Sequence, residues 1–189
     1  YISKLISEKK EVFYACFSIA EESVPLGFDK KILNTEVYQA THELGINKEN
    51  VFVHYYPVRD FNSYRQNILD DMIKLKKQIE PDLIIGPAST DTHQDHIVIH
   101  NEMIRCFRNY SILGYELFWN HLSLNNRFYV ILNDTNVQQK INALKKYVSQ
   151  ASKNRYKDID DIVQTTLHMR GLQLDTMYAE CFEVIRLVQ

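Results

Sequence analysis

Between Tyr64 and Ile79 the chain places apolar side chains at Tyr64, Ile68, Met72, Leu75 and Ile79, with Lys and Asp between them. Steps of four, four, three and four put all five on one helix face and predict a strongly amphipathic helix, which Pro81 ends. Leu33, Val37, Ala40 and Leu44 recur with the same period and predict an earlier helix. The runs between have a different character. VFYACF (12 to 17), VFVHYY (51 to 56) and DLIIG (82 to 86) are short, apolar and rich in aromatic or β-branched residues, as buried strands are. Strands alternating with helices in this way predict an α/β fold with a largely parallel sheet covered by helices on both faces.

The second half is less regular. ILGYELFW (112 to 119) and RFYVIL (127 to 132) read as two neighbouring strands, and Val137, Ile141, Leu144 and Val148 as a helix. Residues 158 to 170 read as a further helix and YAECFEVIRL (178 to 187) as a last strand. Tyr1 to Lys9 reads as the end of a helix, with Ile2, Leu5 and Ile6 on one face. An α/β unit that opens in this way has its first strand missing, so the expectation is a single domain over 1–189, truncated at its N-terminus. An open sheet edge would invite a second copy, which makes homo-oligomerisation through that edge a further expectation.

Composition narrows the classes. A hydrophobic content of 45% over 189 residues supports a real core and excludes disorder. Twenty-two basic and 24 acidic residues are interspersed, which gives no general affinity for nucleic acid or an anionic membrane. No apolar run approaches the roughly 20 residues of a membrane span, and YISKLISEKK has no secretory apolar stretch. Cys16, Cys106 and Cys181 are too few and too far apart for a disulfide framework or a cysteine zinc site, which makes a reducing, cytoplasmic setting the expectation.

Chemistry concentrates in STDTHQDHIVIH (89 to 100), which holds three of the seven histidines and two aspartates. It lies just past the DLIIG strand, where parallel sheets bind ligands. Thr92-His93-Gln94-Asp95 fits a capping box, in which the Thr hydroxyl and the acid three residues on satisfy backbone N–H groups. That explains Thr92 and Asp95 but not His93, His96 or Asp91. A neutral imidazole is a good zinc ligand, and a second one oriented by a carboxylate handles protons near neutral pH. His96 and His100 are four apart on one helix face, as a ligand pair or with His100 in packing. Zinc needs three protein ligands to leave one position for water, so this motif alone does not complete a site.

DTHQDH (91 to 96), preceded by PDLIIGP, resembles the second signature of the LmbE/PIG-L family of zinc-dependent N-acetylglucosamine-type deacetylases. ALKKYVSQ (143 to 150) and RGLQLDTMYAECFEVIR (170 to 186) are similar to that family's later segments, in the same order along almost the whole chain. The resemblance implies a Rossmann-like three-layer α/β sandwich with a mostly parallel sheet, a zinc cofactor, and removal of the N-acetyl group from an amino-sugar conjugate. By position it makes His96 a zinc ligand, His93 the group that protonates the leaving amine or steadies the oxyanion, and Asp95 its orienting carboxylate. Arg59, in PVRDF, would contact substrate, the alternative being a solvated or Asp60-paired arginine. Tyr178 and Glu180 would line the pocket, with strand packing as the alternative, and Asp91 would hydrogen-bond within the motif or border the metal, the structural role being preferred.

The family's first signature, Ala-His-Pro-Asp-Asp-Glu, carries two zinc ligands and the catalytic base, and it does not occur in this sequence. The expectation is therefore a deacetylase-type hydrolase impaired or inactive as these residues stand. The alternative is a non-catalytic relic or sugar-binding module. A third arrangement would build a different metal site from His54, His96, His100 and Asp91 for a phosphoester, but no glycine-rich phosphate loop accompanies it.

Overall fold

A computed structural model describes residues 1–123, 125–151, 153 and 158–189. The chain divides into two compact units, one made of Tyr1–Val58 and Val130–Glu180, the other of Arg59–Tyr129 and Cys181–Gln189.

In the first unit, α1 (Ile2–Ser7) precedes β1 (Tyr14–Cys16), α2 (Ile32–Glu43) and β2 (Val51–Val53), and β1 and β2 pair in parallel with Ala15 opposite Phe52. Val37, Ile46 and Val51 are buried together against Ile6, Tyr14, Leu44 and Tyr147, so the periodic face read from α2 is its core face. The unit continues with α5 (Asp134–Lys145), α6 (Val148–Ala151) and α7 (Ile159–Leu172). The sequence pattern ran Val148 on from Val137, Ile141 and Leu144 in one helix; instead the helix closes and a separate turn begins. The cause is the buried Glu36 carboxylate, which takes the Ser149 N–H at 2.8 Å and the Ser149 hydroxyl at 2.7 Å. An N–H held by a side chain no longer serves the helical ladder.

The second unit holds α3 (Arg65–Ile79), β3 (Leu83–Pro87), α4 (Gln94–Cys106) and β4 (Ser111–Tyr115). Ile68, Leu69, Met72 and Leu75 of α3 are buried, and Glu80 closes the helix in the left-handed region at φ 48° before Pro81. A four-stranded sheet runs in the order β3-β4-β6-β5, where β5 is Asn126–Leu132 and β6 is Tyr178–Arg186. β3 and β4 are parallel and β4 and β6 antiparallel, a mixed sheet that with the parallel β1–β2 pair gives the expected Rossmann-like α/β fold. Two expectations are corrected. β4 and β5 are not neighbours, because β6 lies between them. ILGYELFW is not all strand: β4 stops at Tyr115, and the Leu117 N–H turns to His121 Nε2 at 3.1 Å, so that Phe118–Asn120 forms a 3-10 turn.

Two glycines paired across β3 and β4 allow close packing, Gly86 against α4 and Gly114 against the backbone that follows β3. A Cβ on Gly86 would stand 2.3 Å from Met103 Sδ, and one on Gly114 would stand 2.7 Å from Ala88 Cα. His100, on α4, donates from Nδ1 to the Pro87 carbonyl at 2.9 Å. Glu102, also on α4 and 1% exposed, is held by Arg65 Nε at 2.8 Å and by Arg105. Together these contacts fix the start of α4 just past the carboxyl end of β3.

Candidate active site

His93, in extended backbone, is the N-cap of α4, and its Nδ1 accepts the Asp95 N–H at 3.2 Å. The expected Thr92–Asp95 capping box is therefore corrected: the helix starts one residue later and an imidazole caps it. Thr92 faces elsewhere, with its N–H and its hydroxyl both donated to the Asn120 carbonyl, at 3.0 and 2.7 Å. An Nδ1 that accepts a hydrogen bond carries no proton, so the neutral His93 ring bears its proton on Nε2. Partial burial, reinforced by the neighbouring His96 and more weakly by Arg59, pushes the His93 pKa below its ordinary value, although Asp95 and Asp91 oppose this. His93 is thus a neutral hydrogen-bond donor at pH 7.

Asp91 organises the rest. It is 4% exposed; Oδ1 accepts the His93 N–H at 2.8 Å and Oδ2 bonds His96 Nδ1 at 2.7 Å. With Nδ1–H given to this carboxylate, His96 keeps its lone pair on Nε2, in a side chain 28% exposed. The two rings lie 4.6 Å apart between centroids, tilted by 33°. One imidazole offers a proton and its neighbour a lone pair.

Asp95 is also buried, but its carboxylate accepts the Arg59 N–H at 2.7 Å and the Phe61 N–H at 3.5 Å. It is the Asp95 backbone that bonds the His93 ring, while the side chain, together with Gln94 Nε2 donating to the Arg59 carbonyl at 2.6 Å, clips the 59–61 loop to the helix start. Arg59 sits at φ 70°, a left-handed conformation sparsely used by residues other than glycine and retained where surroundings over-determine it. On the other side an isolated antiparallel bridge joins Asp91 to His121. His121 Nδ1 bonds Thr90 Oγ1 at 2.9 Å, and Ser89 is held by Glu183 through its N–H and hydroxyl at 2.6 and 2.5 Å.

Arg59, Asp91, His93, Asp95 and His96 are thus brought together in one unit. Tyr178 and Glu180 belong to the other, where Tyr178 stands edge-on to His168 and Glu180 pairs with Lys140 and the Tyr1 amino group. Burial acts to raise the Glu180 pKa, but the two cations outweigh it and hold the carboxyl down at about 2. Sequence reasoning gave Asp91 a hydrogen bond within the motif without naming His96 as its partner. The available signal was a carboxylate five residues before a histidine across a strand-to-helix turn, which only the turn geometry makes specific. Of the alternative set, His100 donates from Nδ1 to the Pro87 carbonyl, and His54 stacks on Phe17 and Tyr56.

Fold and site together define a Rossmann-like α/β protein with a carboxylate-oriented histidine pair beyond the end of a parallel strand. Solved structures that it resembles make the fold specific. N,N′-diacetylchitobiose deacetylase from Pyrococcus horikoshii, solved with an inhibitor, is 17% identical with a TM-score of 0.78 over 97% of this chain and 76% of its own. The zinc-inhibited form of teicoplanin deacetylase Orf2 is 13% identical with a TM-score of 0.76 over 98% of this chain and 91% of its own. The chain therefore has the LmbE/PIG-L fold. That fold also carries other chemistry: 4-carboxy-2-hydroxymuconate hydratase from Pseudomonas putida KT2440 is 14% identical with a TM-score of 0.71 over 100% of this chain and 90% of its own. No family model and no curated protein matches the sequence.

Proposed function

We propose that this chain carries the acetamide-recognising half of a deacetylase site for N-acetylglucosamine-type sugars, with His93 as oxyanion donor and His96 as a metal ligand. The observation that carries the reading is the pairing of a buried Asp91 with His96 beside a neutral, Nε2-protonated His93. A tetrahedral intermediate formed from an acetamide puts negative charge on the former carbonyl oxygen. A pre-aimed N–H donor strengthens its bond as that charge grows, and removal of one such donor typically costs about 10²–10³ in rate. The same nitrogen can pass its proton to the leaving amine. Asp91 fixes the His96 ring, and Asp95 holds the Arg59 loop at the edge of the site.

A resident zinc ion does not fit the donors present. Among the described residues no group of three or more His, Cys, Asp and Glu side chains is placed to hold a metal, and His96 supplies one ligand where a hydrolytic zinc needs three. No chemical step through a metal is therefore written for these residues. A protein made of the 189 residues alone binds the N-acetyl sugar without turning it over, in a reducing cytoplasm consistent with its three free cysteines. Equilibrium dialysis against zinc, followed by metal analysis, tests this. The expected result is well under one zinc per chain, falling further in His96→Ala; one firmly held zinc per chain that survives His96→Ala would overturn the assignment.

A further inference from the structure

Glu183, on β6, reaches across the sheet. It pairs in the ladder with Gly114 of β4, which pairs in turn with Gly86 of β3. A Cβ on Gly114 would stand 3.2 Å from Glu183 Oε2 and 2.7 Å from Ala88 Cα, so the carboxylate and the chain leaving β3 share the space that a side chain would fill. Through that gap both carboxylate oxygens reach Ser89: Oε2 accepts its N–H at 2.6 Å and Oε1 its hydroxyl at 2.5 Å. Hydrogen bonds to an ionised carboxylate are roughly twice as strong as neutral ones. Ser89 lies inside the turn that the Asp91 N–H closes on the Ala88 carbonyl at 3.2 Å, and its neighbour Thr90 is bonded to His121. The turn ends at Asp91, whose oxygens take the His93 N–H and the His96 ring.

We propose that Glu183 is a positioning residue of the histidine site: its carboxylate sets the Ser89–Asp91 turn and, through it, the bonds of Asp91 to His93 and His96. Its bearing on an acetamide rests on the proposed sugar reading, whereas the positioning rests on geometry alone. The β3–β4 ladder ends with Pro87 opposite Tyr115. Ser89 lies beyond that last pair, and Glu183 supplies the tie to the sheet that the ladder no longer gives. The Asp91 side chain is short and buried, so its oxygens go where the turn puts them. A displacement of about 1 Å at a reacting group can cost about 10² in rate, which is the scale on which such a tie matters.

Imidazole-nitrogen NMR and backbone amide exchange of the full chain test this without a ligand, so failure here is separate from failure of the sugar reading. In Glu183→Ala, shown to be folded by circular dichroism, the preference of His96 for its Nδ1–H form should fall by about ten-fold, the scale of one lost hydrogen bond. The His93 amide, released from Asp91, should exchange faster by a similar factor. Glu183→Gln should restore both readouts, because its Oε1 can accept the Ser89 N–H while its Nε2–H donates to the hydroxyl, which accepts as well as donates. Ser89→Ala keeps the N–H bond and loses only the hydroxyl; it should move both readouts the same way by less, and it decides the matter if Glu183→Ala does not fold. A folded Glu183→Ala, or in its place Ser89→Ala, with the native His96 tautomer and native His93 exchange overturns the proposal and leaves Glu183 as a brace of the sheet. A Glu183→Gln as perturbed as Glu183→Ala also overturns it, because the hydrogen bonds would then not be the tie.

Discussion

Asp91 sets both histidines by opposite means, accepting the His93 backbone N–H on one oxygen and meeting the His96 ring on the other. The two rings are held in opposite tautomers, Nε2–H for His93 because its Nδ1 accepts the Asp95 N–H, and Nδ1–H for His96 because it donates to Asp91. Imidazole-nitrogen NMR of the native protein should show that pair. Asp91→Asn should free His96 to exchange between tautomers while His93 keeps its form; two rings with the same tautomer in the native protein would contradict the geometry. At this scale the sequence was informative about residue type and poor about partners. Thr92 and Asp95 had the spacing of a capping box, yet Thr92 bonds Asn120 across a bridge and Asp95 bonds the Arg59 and Phe61 amides. Each of these partners is roughly 30 residues away in the chain, beyond the reach of any local pattern.

At the scale of elements the periodicities were dependable. The apolar steps from Ile68 to Ile79 fall on α3, and DLIIG marks β3, because burial on one face leaves a regular trace in sequence. Strand order left no such trace, which is why β6 inserts between two strands that the sequence made adjacent. The paired glycines are elements' business as well. Gly114→Ala drives a Cβ against backbone at Ala88, whereas Gly86→Ala meets the sulfur end of the flexible Met103 side chain. Overpacking of a close-packed site costs about 1–3 kcal/mol. Gly114→Ala should sit at the upper end of that range and Gly86→Ala at the lower, as read from urea unfolding. A reversed order would mean that the β3–β4 face can yield where α4 cannot.

For the whole molecule, the α/β class was legible from the alternation of strands and helices, and the fold matches that expectation. Function was legible in part, since one short motif carried the histidines while their setting depended on segments far along the chain. The likeness of this fold to both deacetylases and a hydratase shows why residues rather than topology must decide the chemistry. The central claim is that His93 and His96 face an acetamide. It is tested most directly by following their imidazole NMR signals while the protein is titrated with N-acetylglucosamine and, separately, with glucosamine. The account predicts that both ring signals shift saturably with the N-acetylated sugar and not with the free amine. Unmoved rings, or equal shifts with the two sugars, would contradict it.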